Sequence, residues 1–288
     1  MKRLLLFISI LSLFFSDYKA YSQLYNFTNY GLEQGLPQST VFSTFQDSRG
    51  YLWIGTESGV ARFNGYQFVV FDKSSGLPGN IVRSVVEGAD GYIWVGTDKG
   101  VGVFNGKRWR SITEKEGLKG SAVIKLAPDK DGKMWVATND SGLNIVTFRD
   151  GSISIDYLNE KNGLAANFVL DILHSSDGST WVAMIGGVNI ISFVDGKPKI
   201  QNLESIVSIP SNLFSCIAED EKKCIWLGTL DAGAFLLSKK NSGFTVIPYG
   251  EQRGISDSRI WDIYCDGENQ VWFGTNDNGL YYLMDNSV

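Results

Sequence analysis

The sequence predicts an all-β fold: a single β-propeller of six blades, each of four antiparallel strands, closed by its N-terminal strand. Three observations carry that expectation. Six tryptophans, Trp53, Trp94, Trp135, Trp181, Trp226 and Trp272, recur at spacings of 41, 41, 46, 45 and 46 residues. A period in this range marks one copied supersecondary unit that cannot bury its apolar face alone. Around each tryptophan, short apolar runs rich in Val, Ile, Phe and Trp alternate with Asp-Gly, Asn-Gly and Gly-Leu-Pro, which is strand and turn chemistry. The third observation is that a surplus strand at the front of the chain matches a deficit at its back.

The first copy sets the pattern for the others. Gly35-Leu36-Pro37 leads into strand A, about Val41–Phe45; strand B follows at Leu52–Thr56, strand C at Val60–Phe63 and strand D at Gln67–Phe71. Tight A–B hairpins fit turns such as Asp90-Gly91, and Asn64-Gly65 and Asn105-Gly106 do the same between C and D. The third and fourth copies drift to Trp135-Val136-Ala137-Thr138 and Trp181-Val182-Ala183-Met184. The fifth replaces Gly-Leu-Pro with Ile209-Pro210-Ser211. The sixth offers a strand C at Gly279–Leu283 and no strand D. Leu24–Tyr30 precedes Gly35-Leu36-Pro37 as Phe68–Phe71 precedes Gly76-Leu77-Pro78, so it is the expected closing strand. The alternative is an incomplete seven-bladed ring.

Residues 1–22 read as a secretory signal peptide: Lys2-Arg3, the apolar run Leu4–Phe15, then Ala20-Tyr21-Ser22 before a cut at Gln23. The propeller then occupies 23–288, and the expected location is the periplasm. The apolar run is too short to span a bilayer, no other run approaches it, and no cysteine follows at a lipid-anchor position. The chain carries a net charge of −5, and residues 1–22 contribute +2 of opposite sign, leaving −7. An acidic balance argues against nucleic acid as a partner. Cys216, Cys224 and Cys265 lack metal spacing and read as buried free thiols, with a Cys216–Cys224 disulfide as the alternative.

Little in the sequence supports catalysis. The single histidine, His174, falls at the end of the fourth strand A and reads as a solvated turn residue. Asp129-Lys130-Asp131-Gly132 occupies a hairpin-turn slot and lacks the downstream Glu of a calcium loop. No catalytic residue, metal site or cofactor is therefore expected. The six periodic tryptophans are expected to pack between blades; Trp109, in strand D of the second blade, reads as core or rim packing. The D–A connections hold Ser39, Asn80, Ser121, Asn167, Asn212 and Ser258 at one position, which suggests a turn-forming role. The next position varies freely, as do the B–C loops that open on the same face. The expected ligand contacts are Arg259, Trp261, Phe168, Asn139, Asp140, Asp98 and Asn276.

The string Gly-Leu-Pro, then Asp-x-x-Gly-x-[Leu/Ile]-Trp-[Ile/Val]-Gly-Thr-x-x-Gly-Val-x-x-Phe-Asn-Gly resembles the two-component regulator propeller repeat over nearly all of 24–285. The resemblance implies an extracytoplasmic sensor module of hybrid two-component systems that detects glycan fragments and signals to a histidine kinase. The further propeller, immunoglobulin-like module, membrane helix and kinase domains of that family have no counterpart in the sequence, so no kinase activity is expected of this chain. An oligosaccharide is the expected ligand, with an envelope protein or sensor kinase as partner. The alternative reading is a non-catalytic protein-interaction scaffold of the cell envelope.

Overall fold

The computed structural model describes residues 28–149, 151–240, 243–268 and 270–283. The first blade comprises β1 (Val41–Gln46), β2 (Leu52–Thr56), β3 (Gly59–Phe63) and β4 (Phe68–Phe71), and the second β5 (Val82–Glu87), β6 (Ile93–Thr97), β7 (Gly100–Phe104) and β8 (Trp109–Ile112). The third holds β9 (Val123–Pro128), β10 (Lys133–Thr138), β11 (Leu143–Arg149) and β12 (Ser152–Leu158). The fourth holds β13 (Val169–His174), β14 (Thr180–Met184), β15 (Gly187–Val194) and β16 (Lys197–Asn202). The fifth holds β17 (Phe214–Glu219), β18 (Ile225–Thr229), β19 (Ala234–Lys240) and β20 (Gly243–Tyr249). The sixth has β21 (Ile260–Cys265), β22 (Val271–Thr275) and β23 (Leu280–Leu283). Each is an antiparallel meander in chain order, and together they form a six-bladed propeller.

Among the described residues the sixth sheet has three strands. Of the expected closing segment Leu24–Tyr30, residues 28–30 carry no regular secondary structure and the remainder lies outside the described residues, as do residues 1–22. Among the described residues no helix is long and apolar enough to cross a membrane.

Adjacent blades meet through a repeated contact between strand B and the next strand A. A Cβ added to Gly55, Gly96 or Gly228 would lie 2.8, 2.6 or 3.0 Å from side-chain atoms of Val82, Val123 or Ile260, the first residue of the following inner strand. In these three blades glycine leaves room for that approach. In the third and fourth blades Ala137 and Ala183 stand at this place and pack in the same clusters as Val169 and Phe214. These inner-strand residues are all 0–1% exposed. At the sixth blade the pattern breaks. A Cβ at Gly274 would meet only its own blade's Asp262, at 3.8 Å, and Val41 of β1 is 44% exposed.

The periodic tryptophans are buried or half-buried between sheets, and most are tied by a second device. In four blades the residue six places before the tryptophan closes the A–B turn and reaches back to the indole, and in the fourth blade Trp181 donates instead to Ser179 at 3.2 Å. Trp53, Trp135, Trp226 and Trp272 donate Nε1–H to Asp47, Asp129, Asp220 and Asp266 at 2.9, 3.0, 3.1 and 2.9 Å. Asp47 also accepts the backbone N–H groups of Arg49 and Tyr51. Burial pulls the Asp47 carboxyl upward, but the bonds from Trp53, Tyr51 and Arg49 together hold it below its ordinary value. In the second blade Gly88 takes that place, and the Trp94 indole N–H is buried without a partner. Trp109 packs edge-on against Trp53 and Phe71, on the core cluster of the first two blades.

Two local expectations change. His174 is half-buried rather than solvated: its ring packs edge-on against Trp135, with Nδ1 3.0 Å from Thr180 Oγ1 and Nε2 3.4 Å from the Ala127 carbonyl. The imidazole fills the seam between the third and fourth blades, and burial lowers its pKa. The three cysteines are free thiols, but only Cys216 is fully buried; Cys224 and Cys265 are half-buried.

Asp47→Ala is expected to lower stability by about 1–3 kcal/mol, because a buried indole N–H loses its acceptor; urea unfolding measures this. Asp47 titrates lower in the folded chain than unfolded. Its contribution is therefore present above about pH 3.9 and fades as the pH falls through the folded value, so the gap between Asp47→Ala and the parent should close in acid.

Candidate functional site

Every inner strand carries an irregularity at the same place. In β1, β5, β9, β13, β17 and β21 the pairing with strand B skips the second residue, so each inner strand has a bulge there. A bulge leaves one residue unpaired and re-aims its side chain. The six bulged residues are Phe42, Arg83, Ile124, Leu170, Ser215 and Trp261, and all six line one cavity of about 470 Å³. The cavity is therefore the central mouth of the propeller, because each blade contributes to it through its innermost strand.

The surrounding loops complete the wall with Asp98, Ala122, Asn139 and Phe168. Their positions are set by a hydrogen bond repeated in five blades. The N–H groups of Asp98, Asn139, Ile185, Leu230 and Asn276 at the start of the B–C loops donate to the carbonyls of Ile81, Ala122, Phe168, Leu213 and Arg259 in the D–A connections, at 2.9–3.2 Å. The Ser/Asn position just before these residues works between blades. The carbonyls of Asn80, Asn167, Asn212 and Ser258 accept the N–H of Gly59, Gly142, Gly186 and Gly233 in the preceding blade's B–C loop. The side chains of Asn80 and Asn167 additionally accept from Lys73 and Glu160 N–H, both at 3.0 Å, which is the turn-forming role expected of them. Main-chain bonds thus hold side chains that are free to differ.

The structure brings together four of the expected contact residues, Asp98, Asn139, Phe168 and Trp261. Trp261 and Phe168 remain 53% and 39% exposed, large apolar faces turned to solvent in the mouth. Asn276 stands behind Trp261 and accepts its indole N–H at 2.8 Å, fixing the ring. Arg259 is engaged by the Asp277 carboxylate and has Asp257 at 3.9 Å. Asp140 and Arg259 do not line the cavity. Phe42, Arg83, Ile124, Leu170 and Ser215 escaped the sequence reading. Their signal was a free variation one place into each strand A, where regular strand alternation gives no reason to look. Arg83 stacks over Phe42 with its guanidinium carbon 5.1 Å from the ring centre.

Below the mouth, the third residue of each inner strand forms a second ring: Ser43, Ser84, Lys125, Asp171, Cys216 and Asp262. Ser43 and Ser84 each accept a backbone N–H from the next blade, of Val85 and Leu126 at 3.2 and 3.1 Å. Asp171 accepts Ile172 N–H in its own strand and Ile217 N–H in the next, both at 2.9 Å. Lys125 cannot accept, and its ammonium instead pairs with Asp171 at 2.9 Å. The Asp171 charge raises the Lys125 pKa against the opposing effect of burial, and Asp262 adds to the rise. Asp262 is exposed at its surface, with neighbouring groups close enough to desolvate its carboxyl in part. Burial pushes its carboxyl above the ordinary value; Lys125 offsets part of that, and Asp171 adds to it. Burial likewise pushes up the Cys216 thiol, and the Cys265 thiol to about 12, so neither supplies a thiolate nucleophile near neutral pH.

A propeller whose repeated frame carries a ring of variable side chains is the class of protein that this geometry defines. The family model described as two component regulator propeller matches residues 35–58, 76–99, 117–140, 208–231 and 254–277, so the chain carries five copies of that repeat. The unmatched fourth copy is the one reading Trp181-Val182-Ala183-Met184. No curated protein sequence matches the chain. Among solved structures, the extracellular domain of BT3049 from B. thetaiotaomicron, described as a hybrid two component system, is similar with 24% identity and a TM-score of 0.72; the match covers 89% of this chain and 35% of that one. PorZ of Porphyromonas gingivalis, a surface component of the type-IX secretion system, matches with 18% identity and a TM-score of 0.68 over 86% of this chain and 40% of its own. Virginiamycin B lyase from Staphylococcus aureus matches with 18% identity and a TM-score of 0.65, covering 87% and 83%. This chain thus spans little over a third of the length of the BT3049 domain. Propellers of this shape include an enzyme as well as the extracellular domain of a hybrid two component system, so the fold leaves function to the site.

Asp262→Asn is expected to raise the urea midpoint at pH 7, since a carboxyl with a raised pKa favours the folded state only when protonated. The gain should shrink as the pH falls toward about 4, where the unfolded carboxyl also takes up its proton.

Proposed function

We propose that this chain is an extracytoplasmic sensor module, exported to the periplasm, that takes up a glycan fragment at the mouth of its central channel and passes the signal to an envelope partner such as a sensor kinase. The single observation that carries this reading is the ring of six bulged side chains, with Phe42, Phe168 and Trp261 supplying apolar faces beside Arg83, Asp98 and Asn139. A sugar ring presents an apolar C–H face and a polar rim of hydroxyls, and it is matched by aromatic platforms with a few fixed polar groups around them. Asp98 is steadied for this role by accepting Ile81 N–H at 3.2 Å.

Binding without chemistry belongs to the same reading. The one histidine lies in the seam of the third and fourth blades and lines a different cavity, and the mouth offers no pair of groups placed for acid–base transfer. Exposed Tyr264, Leu280 and Tyr282 on the sixth blade, at 65%, 64% and 55%, favour a second reading as an envelope interaction scaffold, akin to the surface role named for PorZ.

Titration calorimetry of the chain against neutral oligosaccharides is expected to find a ligand whose affinity falls about tenfold or more in Trp261→Ala and in Phe168→Ala. Absence of heat with every oligosaccharide at millimolar concentration would favour the scaffold reading instead.

A further inference from the structure

A second cavity, of about 550 Å³, opens at the outer rim between the second and third blades and has a different chemistry from the mouth. Strand alternation creates it. Arg108 and Arg110 flank Trp109, so when the indole turns into the core against Phe104, centroids 4.9 Å apart, both guanidiniums turn outward. Arg149, at the end of β11 in the next blade, joins them in the wall. Arg110 spans the two blades. Its guanidinium carbon lies 5.2 Å from the centre of the Phe148 ring, and Nη1 donates to the Gly151 carbonyl at 2.6 Å. Tyr92 packs beside Phe148, with centroids 6.2 Å apart, and lines the same cavity.

This charge is not a property of the repeat. A cavity beside the A–B turns of the third and fourth blades is lined by Asp129, Asp131 and Asp177, with Lys130 as its one lysine. The chain as a whole is acidic, at −5. Three arginines nevertheless converge here, with Asp90 as the one carboxylate among the described lining residues, and it spends one oxygen on Tyr92 N–H at 3.0 Å. No ion pair joins any of the three arginines to a described residue. Guanidinium forks match carboxylate and sulfate oxygens in pairs, and one of them is already held in place by the aromatic ring beneath it.

From this geometry we infer a second binding site, for a sulfate or carboxylate group carried on a sugar ring. Arg108, Arg110 and Arg149 bind the oxyanion, and Tyr92 and Phe148 take the ring's apolar face. The site is independent of the central mouth and of the ligand assigned there.

The test is calorimetry on the full chain at low salt with three probes: a sulfated heparin disaccharide, glucuronic acid and inorganic sulfate. The disaccharide or glucuronic acid is expected to bind more tightly than inorganic sulfate, the stronger of the two showing whether sulfate or carboxylate is preferred. Binding should weaken about tenfold in Arg108→Gln/Arg149→Gln, two exposed positions whose change leaves the core intact, and should fall with added salt. It should be unchanged in Trp261→Ala, which separates this site from the mouth. Failure of all three probes, inorganic sulfate binding as well as the sugars, an unaltered affinity in the double variant, or loss of binding in Trp261→Ala would each overturn the assignment.

Discussion

Five of the six blade boundaries are held by one steric condition: a residue with little or no side chain in strand B, seated beneath the first residue of the next blade's inner strand. Gly55, Gly96 and Gly228 meet that condition so closely that an added Cβ would lie 2.8, 2.6 and 3.0 Å from the facing side chain, and Ala137 and Ala183 meet it in the third and fourth blades. The consequences extend through the next three residues of the inner strand. The first is buried against the neighbouring blade, the second is pushed out of register as a bulge, and the third reaches across to the following blade. Adhesion, the lining of the mouth and inter-blade hydrogen bonding are therefore assigned to successive residues of a single strand.

That division explains how the mouth can vary without cost to the ring. The bulged residue makes no ladder bond, and the loops above it are secured through main-chain groups. Phe, Arg, Ile, Leu, Ser and Trp can therefore occupy equivalent places. The third residue is more constrained, since it serves the next blade's backbone. Where Lys125 cannot accept a hydrogen bond, Asp171 takes its own Ile172 N–H as well as Ile217 N–H, and Asp262 similarly turns to its own Ile263 N–H beyond Cys216. The charged trio in the channel is in this sense a local repair of the repeat.

Most of the architecture was legible because it is periodic. Trp53 and its equivalents, the Asp-Gly turns and the glycine of Trp-x-Gly-Thr each state one structural requirement several times over, and repetition separates such a requirement from chance. The site was legible only in part. Phe168, Asn139, Asp98 and Trp261 lie where loops converge, and loop variation on a fixed frame is visible in the sequence. Phe42, Arg83 and Leu170 were hidden because a bulge reverses the side to which a strand residue points, and no residue type announces it. His174 was misjudged for a related reason. Its place at a strand end predicts exposure, whereas the third blade folds over it and Trp135 covers its ring. The arginine groove was invisible, since Arg110 and Arg149 are about forty residues apart in the chain and meet only across a blade boundary.

The sixth blade supplies an internal control for the steric condition, because Gly274 occupies the same motif position as Gly96 yet has no described residue of another blade within 4 Å. The most direct measurement compares urea unfolding of Gly96→Val with that of Gly274→Val. Gly96→Val should lower stability by about 1–3 kcal/mol through overpacking, and Gly274→Val should stay within about 0.5 kcal/mol of the parent. Equal midpoints for the two variants would contradict the account.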